Sequence, residues 1–247
     1  MKKRLQQFFI AVQFLTRVPV PRLDNINKTD IGQSMLFYPL VGLFIGLALW
    51  GIAWLTGDDS LLSAALVLGF WVLITGALHL DGLADSADAW IGGNNDTKRS
   101  LAIMKDPRAG PIAVTVLVVL LLLKFSAIEA IVASGQMSAL LLAPIIGRAC
   151  MPLLLLTTPY VRSDGLASAM VDKLPSAKSI LIVLTLCVLF ILSFGYTGIV
   201  SILISVVCFI ITRKQLMRWI NGTTGDTAGA LLEIVETTVL ISIALSL

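Results

Sequence analysis

Charge is scarce in this 247-residue chain: 13% of residues are Asp, Glu, Lys or Arg, about half the roughly 25% of a soluble domain. With 57% hydrophobic residues and a mean hydropathy of +0.93, a soluble globular protein is excluded. Histidine occurs once, as His79. Cysteine occurs three times, and Cys150, Cys187 and Cys208 each lie alone in an apolar run without C-x-x-C spacing. That excludes a disulfide framework and leaves them as small core residues. A net charge of +3, with no clustered basic footprint, excludes a nucleic-acid binder. Nine Pro and nineteen Gly recur at no fixed period, so a repeat array or low-complexity chain is excluded too. One integral membrane domain, residues 1–247, remains.

A helix crosses a bilayer with about 20 apolar residues. Seven runs qualify: Met35–Leu55, Leu61–Leu78, Ile112–Ala133, Met137–Leu156, Ser179–Phe194, Thr197–Thr212 and Ala228–Leu247. The fifth and sixth are short and separated only by Gly195 and Tyr196, so one tilted span or a re-entrant hairpin is an alternative for that pair. Orientation follows from Lys and Arg near the span ends. Sixteen of the eighteen lie in the N-terminal segment and in the 79–111, 157–178 and 213–227 loops, and none in the opposite connections. This predicts an all-α polytopic fold of about seven spans. The N-terminus and the long loops face the cytoplasm, and the C-terminus lies outside. Residues 1–22 start with Lys2, Lys3 and Arg4, place apolar residues at helical spacing and have no cleavage site. They predict an amphipathic helix in the membrane interface rather than a signal peptide or an extension of the first span.

The 79–111 loop opens His79-Leu-Asp81-Gly-Leu-Ala-Asp85-Ser-Ala-Asp88. Carboxylates at i, i+4 and i+7 share one helical face and repel, so a cation is expected among them. Oxygen ligands suit Mg²⁺, which binds through one or two carboxylates plus substrate phosphates. Asp81, Asp85 and Asp88 are the metal candidates, and the small Gly82, Ala84 and Ala87 leave room for a bulky ligand. His79 suits a supporting or capping role, with general-base work open to it, and it is counted among the substrate-binding residues. The loop closes with Lys105-Asp106-Pro-Arg108-Ala-Gly110-Pro111, in which Lys105 and Arg108 supply phosphate-binding charge and Asp106 a further carboxylate.

Thr223-Thr224-Gly225-Asp226-Thr227 opens the last span from the same side. Backbone N–H groups entering a helix attract phosphate, and Asp226 reads equally as N-cap or ligand. Glu233 and Glu236 lie one and two turns into that span, where an ionised group costs about 2.5–3.5 kcal/mol at mid-bilayer. Arg148, within the fourth run, needs a counter-charge, for which Glu233 is the candidate; both are counted among the substrate-binding residues. Lys124 and Glu129 have no assigned partner. Arg162, Asp164, Asp172 and Lys173 lie in the 157–178 loop, which reads as a lid or a plain connection.

These residues describe a membrane protein with a cytoplasm-facing, cation-binding and phosphate-attracting site, suited to phosphoryl transfer on an amphiphilic or very large substrate. The stretches HLDGLADSADAW, KDPRAG and TTGDTAGA, with the segments Phe14–Pro21 and Phe37–Gly42, resemble the cobalamin synthase family, or adenosylcobinamide-GDP ribazoletransferases. The resemblance implies a Mg²⁺-dependent transferase that joins adenosylcobinamide-GDP to α-ribazole or its 5′-phosphate and releases GMP. It further implies catalytic roles for Asp81, Asp85, Asp88 and Asp106. Lys105 and Arg108 would hold the diphosphate, and Thr224, Gly225, Asp226 and Thr227 would border the nucleotide or nucleophile. Ala89 and Pro111 depart from the family's usual Gly and small or hydroxyl residue. CDP-alcohol phosphotransferases, prenyltransferases and transporters are the rival classes. The expected partners are the two substrates and the bilayer, with no nucleic acid, and a homo-oligomer is left open.

Overall fold

The structure, a computed structural model, describes residues 2–23, 25–162 and 170–247. The candidate Asp164 lies outside the described residues. Among these there is no strand, only an isolated parallel bridge between Tyr160 and Thr223. The helices are α1 (Lys2–Leu15), α2 (Lys28–Ser34), α3 (Tyr38–Thr56), α4 (Ser60–Thr75), α5 (Leu78–Gly92), α6 (Thr97–Ile103), α7 (Pro111–Ala133) and α8 (Leu142–Thr157). They continue as α9 (176–194), α10 (196–220) and α11 (Gly225–Ala244).

Local chemistry sets the helix starts. Asn27, Asp59 and Asp96 cap α2, α4 and α6 with side-chain oxygens on backbone N–H groups. Pro111 opens α7, where its missing N–H costs nothing. The break between α4 and α5 falls at Gly76 and Ala77, both with positive φ, and turns the chain by 86°. α4 and α5 pass as one span only when taken together. Five further segments are long and apolar enough to cross a membrane: Lys28–Thr56, Pro111–Ala133, Met137–Thr157, Ser176–Ile220 and Gly225–Ala244.

Ser176–Ile220 is 45 residues long, which as one helix would reach about 67 Å, twice a bilayer core. It does not run straight. Gly195 leaves helical geometry at φ 51°, ψ −125°. A Cβ on Gly198 would stand 2.3 Å from the Phe190 carbonyl oxygen, and Leu186 and Ser205 line one groove. α9 and α10 therefore fold back on each other as two helices, and the single tilted span is excluded.

α8 and α11 form the buried centre, whereas the α9–α10 hairpin shows the outside Leu181, Leu184, Leu192 and Ile211. α3 closes on α8 through Gly42, whose Cβ would meet the Pro144 carbonyl oxygen at 2.4 Å; small residues of this kind let membrane helices approach. α1 is a separate helix docked on α2 and α3. Ala11 and Leu15 are fully buried, Gln7 donates to Asp30 Oδ1 (3.0 Å) and Gln33 Oε1 (2.9 Å), and Phe14 stacks on Tyr38.

Candidate active site

α5 and α11 run antiparallel in close contact, because two glycines remove the side chains between them. A Cβ on Gly82 would lie 2.7 Å from the Asp226 carbonyl oxygen, and one on Gly229 would lie 3.3 Å from His79 Cα. The space at Gly82 is thus filled by the α11 backbone rather than left for a ligand, which corrects the expectation from its small size. This packing joins the 79–111 and 213–227 loops, more than a hundred residues apart in the chain, into one mouth. The charges facing Asp85 there are Asp81, Asp226, Asp88 and Arg162. Asp81 is exposed and Asp85 half-buried.

Asp88 has a further task. Its Oδ2 accepts from Gly110 N–H (2.5 Å) and its Oδ1 from Ala113 N–H (2.9 Å), so it caps α7 from 22 residues upstream. A carboxylate on a helix N-terminus is favoured by both its hydrogen bonds and the helix dipole. The three aspartates do not form a ready cage. Among the described residues no three His, Cys, Asp or Glu side chains converge on one ion position. Asp81 and Asp85 still present hard carboxylate oxygens that suit Mg²⁺ completed by phosphate and water.

Asp106 stands apart from this cluster. It accepts from Arg108 Nε (2.9 Å) and Nη2 (2.7 Å). These bonds hold its carboxyl down to about 2 and push the Arg108 guanidinium up. Arg108 and Lys105 are exposed beside the mouth, where a phosphate can reach them.

At α11 the cap is Thr224 rather than Asp226. Thr224 Oγ1 accepts from Thr227 N–H, and Thr227 Oγ1 accepts from Thr224 N–H (2.8 Å). Both hydroxyls are buried and engaged in this box. Asp226 instead pairs with Arg162 at 2.7 Å. Arg162 arrives because its strand-like segment lies against the α11 entry: Val161 N–H donates to the Thr223 carbonyl (3.0 Å) and Thr223 N–H to that of Pro159 (2.8 Å). Burial beside Asp226 raises the Tyr160 hydroxyl, with Arg162 opposing. Sequence reasoning missed Tyr160 and the role of Arg162, since the pairing is long-range.

Behind the mouth lies a cavity of about 190 Å³ walled by Phe14, Tyr38, Met151, Leu155 and Tyr160, with Asp81, Gly225 and Asp226 on one side. His79 lines it, 3% exposed, with neither ring nitrogen hydrogen-bonded.

Deeper still is a closed charge network. Arg148, fully buried, pairs directly with Glu236, while the expected Glu233 acts on it as a further counter-charge. Lys124 bridges Glu233 (2.5 Å) and Glu236 (2.8 Å) and sits over the Trp71 ring at 4.5 Å. Glu129 accepts from the Ser60 hydroxyl at 2.7 Å. Arg148 and Glu233 thus lie inside the bundle, facing other charges, and do not line the cavity.

Fold and site define a polytopic all-α membrane protein whose acidic mouth, built by two distant loops, opens on an apolar cavity. The sequence profile of the family described as cobalamin-5-phosphate synthase matches residues 7–244, and the chain belongs to that family. A relative from Stutzerimonas stutzeri is 52% identical over 237 residues, covering 96% of each chain. One from Pseudomonas aeruginosa is 48% identical over 246 residues, covering 99% of this chain and all of its own. Both are named adenosylcobinamide-GDP ribazoletransferase. No solved structure matches the chain.

Proposed function

We propose that this chain is an adenosylcobinamide-GDP ribazoletransferase. A hydroxyl oxygen of α-ribazole, or of its 5′-phosphate, bonds to the cobinamide-linked phosphorus. The bridging P–O bond breaks, GMP leaves with the bridging oxygen, and the hydroxyl proton is released. The observation that carries this reading is the Gly82–Asp226 contact, which sets the acidic helix face and the entry of α11 in one mouth. Family membership favours it over the phosphotransferase, prenyltransferase and transporter classes.

Asp81 and Asp85 would hold Mg²⁺, which supplies positive charge to the diphosphate when bound. Lys105 and Arg108 bind phosphate oxygens from the exposed end of the loop. Asp88 fixes that loop to α7, and the Arg162–Asp226 pair positions the opposite wall. The excess of Lys and Arg on this side supports a cytoplasm-facing mouth in a protein of the inner membrane. The test is GMP release by purified protein in liposomes. Release that needs both substrates and Mg²⁺ is expected. GMP formed from the donor without α-ribazole, or at an unchanged rate in chelator, would overturn the assignment of transfer or of metal.

A further inference from the structure

We propose that the trough between α1 and α3 binds an acyl chain of an anionic phospholipid from the leaflet on the mouth side, with the lipid's head group held by Arg4 and Arg17. The site is separate from the mouth and does not rest on the transferase reading.

The lining admits hydrocarbon and little else. The trough has a volume of about 360 Å³. Phe8 and Val12 of α1 form one wall, Val41 and Phe44 of α3 the other, and residues 18–20 close one end. That end is fixed, since Arg17 N–H donates to the Ile74 carbonyl (2.7 Å) and Pro19 and Pro21 restrict the backbone on either side of Val20. The only polar side chain in the lining is Thr16. Its hydroxyl is already engaged, donating to the Val12 carbonyl (2.8 Å) and accepting from Val18 N–H (3.2 Å). A nucleotide, sugar or base would lose its water here without gaining partners, whereas an acyl chain gains from the burial.

Depth selects a lipid tail. Val41 and Phe44 lie in the first two turns of α3 and Ile74 in the last turn of α4, just before the chain turns at Gly76 into α5 and the mouth. This is the level, about 5–10 Å into the boundary of head groups and acyl chains, at which interfacial helices bury their apolar faces. Leu40, Phe44 and Leu47 are exposed at helical spacing on α3, so an apolar face flanks the trough.

The rim selects the charge. Residues 1–34 hold six Lys and Arg against two Asp. Arg4 is exposed one turn before Phe8, and Arg17 is exposed with its side chain laid across Gly76, where a Cβ would meet its Cγ and Nε. Neither arginine has a carboxylate partner among the described residues, and Asp30 is taken by Gln7 and Lys3. Two unmatched cations at head-group level favour a lipid of net negative charge over a zwitterionic one. Such a lipid clamps α1 onto α3, and Phe14 of α1 stacks on Tyr38 in the wall of the cavity behind the mouth.

The test is photolabelling of wild-type protein in liposomes by phosphatidylglycerol or phosphatidylcholine carrying a diazirine in the acyl chain. Label on Phe8, Val12 or Phe44 is expected to be at least about fivefold higher from phosphatidylglycerol, the factor that one basic residue gives at an anionic surface. Label on Leu184 and Leu192 of the α9–α10 hairpin should be the same from both lipids. Arg4→Gln/Arg17→Gln should bring the two lipids to within about twofold at the trough, and phosphatidylglycerol should raise the Tm of detergent-purified wild type but not of this variant. Equal labelling of the trough by the two lipids in wild type, or a preference unchanged in the double variant, would overturn the proposal. A disulfide-linked dimer formed through Val12→Cys in liposomes would give the trough to a second copy of the chain and overturn it too. The first readout uses wild type, so a variant that fails to fold leaves the question decidable. None of the readouts uses GMP release, so this proposal and the transferase reading fail separately.

Discussion

Glu236 and Arg148 offer the sharpest test of how this bundle tolerates charge. The network holds two cations, Lys124 and Arg148, and two anions, Glu233 and Glu236, with all four side chains 5% exposed or less. Glu236→Leu leaves a net +1 and strands Arg148, while Arg148→Leu leaves a net −1 around Lys124. Breaking a buried pair by removing one partner costs about 3–5 kcal/mol, whereas replacing both with apolar residues is often neutral. Each single variant should therefore lose about 3–5 kcal/mol, a large part of a typical 5–15 kcal/mol stability. The double variant retains the neutral Lys124–Glu233 pair and should return to within about 2 kcal/mol of wild type, a coupling of at least about 4 kcal/mol. Unfolding can be followed in a Cys187→Ala/Cys208→Ala background, where the buried Cys150 is the sole thiol and reacts with a maleimide only on opening. A double variant as unstable as the worse single, or singles indistinguishable from wild type, would refute the electrostatic accounting.

Asp85→Asn removes one of the like charges crowded at the mouth, so in chelator it should raise Tm, yet Mg²⁺ should no longer stabilise the protein and turnover should fall by orders of magnitude; an intact Mg²⁺ response in scanning fluorimetry would remove Asp85 from the metal site. Gly82→Val places carbon against the Asp226 backbone and should cost about 1–3 kcal/mol or more and lower GMP release with it, with Gly82→Ala milder; a wild-type Tm would contradict the α5–α11 packing. The Asp106 carboxyl, held at about 2, keeps its pairing with Arg108 above the ordinary carboxylate range and loses it only as pH falls from about 4 towards 2. Asp106→Asn should accordingly leave the shape of the rate profile between pH 5 and 9 unchanged, and a shifted limb in that range would show that Asp106 titrates there.

The all-α character and the apolar runs are legible in the sequence, because run length and helical spacing are local or additive properties. Four features are not. The direct partner of Arg148 depends on the rotation of α11 against α8: Glu233 and Glu236 are three residues apart on the same helix, and Gly147, whose Cβ would lie 2.7 Å from Glu236 Cγ, selects the second. The cap of α11 misled because Thr227 fills the box position where Glu or Gln is the familiar signal. Asp88 looks like its neighbours in a one-dimensional pattern, and only the arrival of the α7 N-terminus turns it into a cap. The pairing of residues 159–161 with Thr223 joins loops over 60 residues apart through backbone atoms, which carry no side-chain signature.

The account stands most directly on product stoichiometry in proteoliposomes supplied with adenosylcobinamide-GDP, α-ribazole and Mg²⁺. It predicts GMP and a ribazole-bearing corrinoid in equal amounts from wild type, and neither from a folded Asp81→Asn variant. GMP without the joined corrinoid, or full yield from Asp81→Asn, would contradict it.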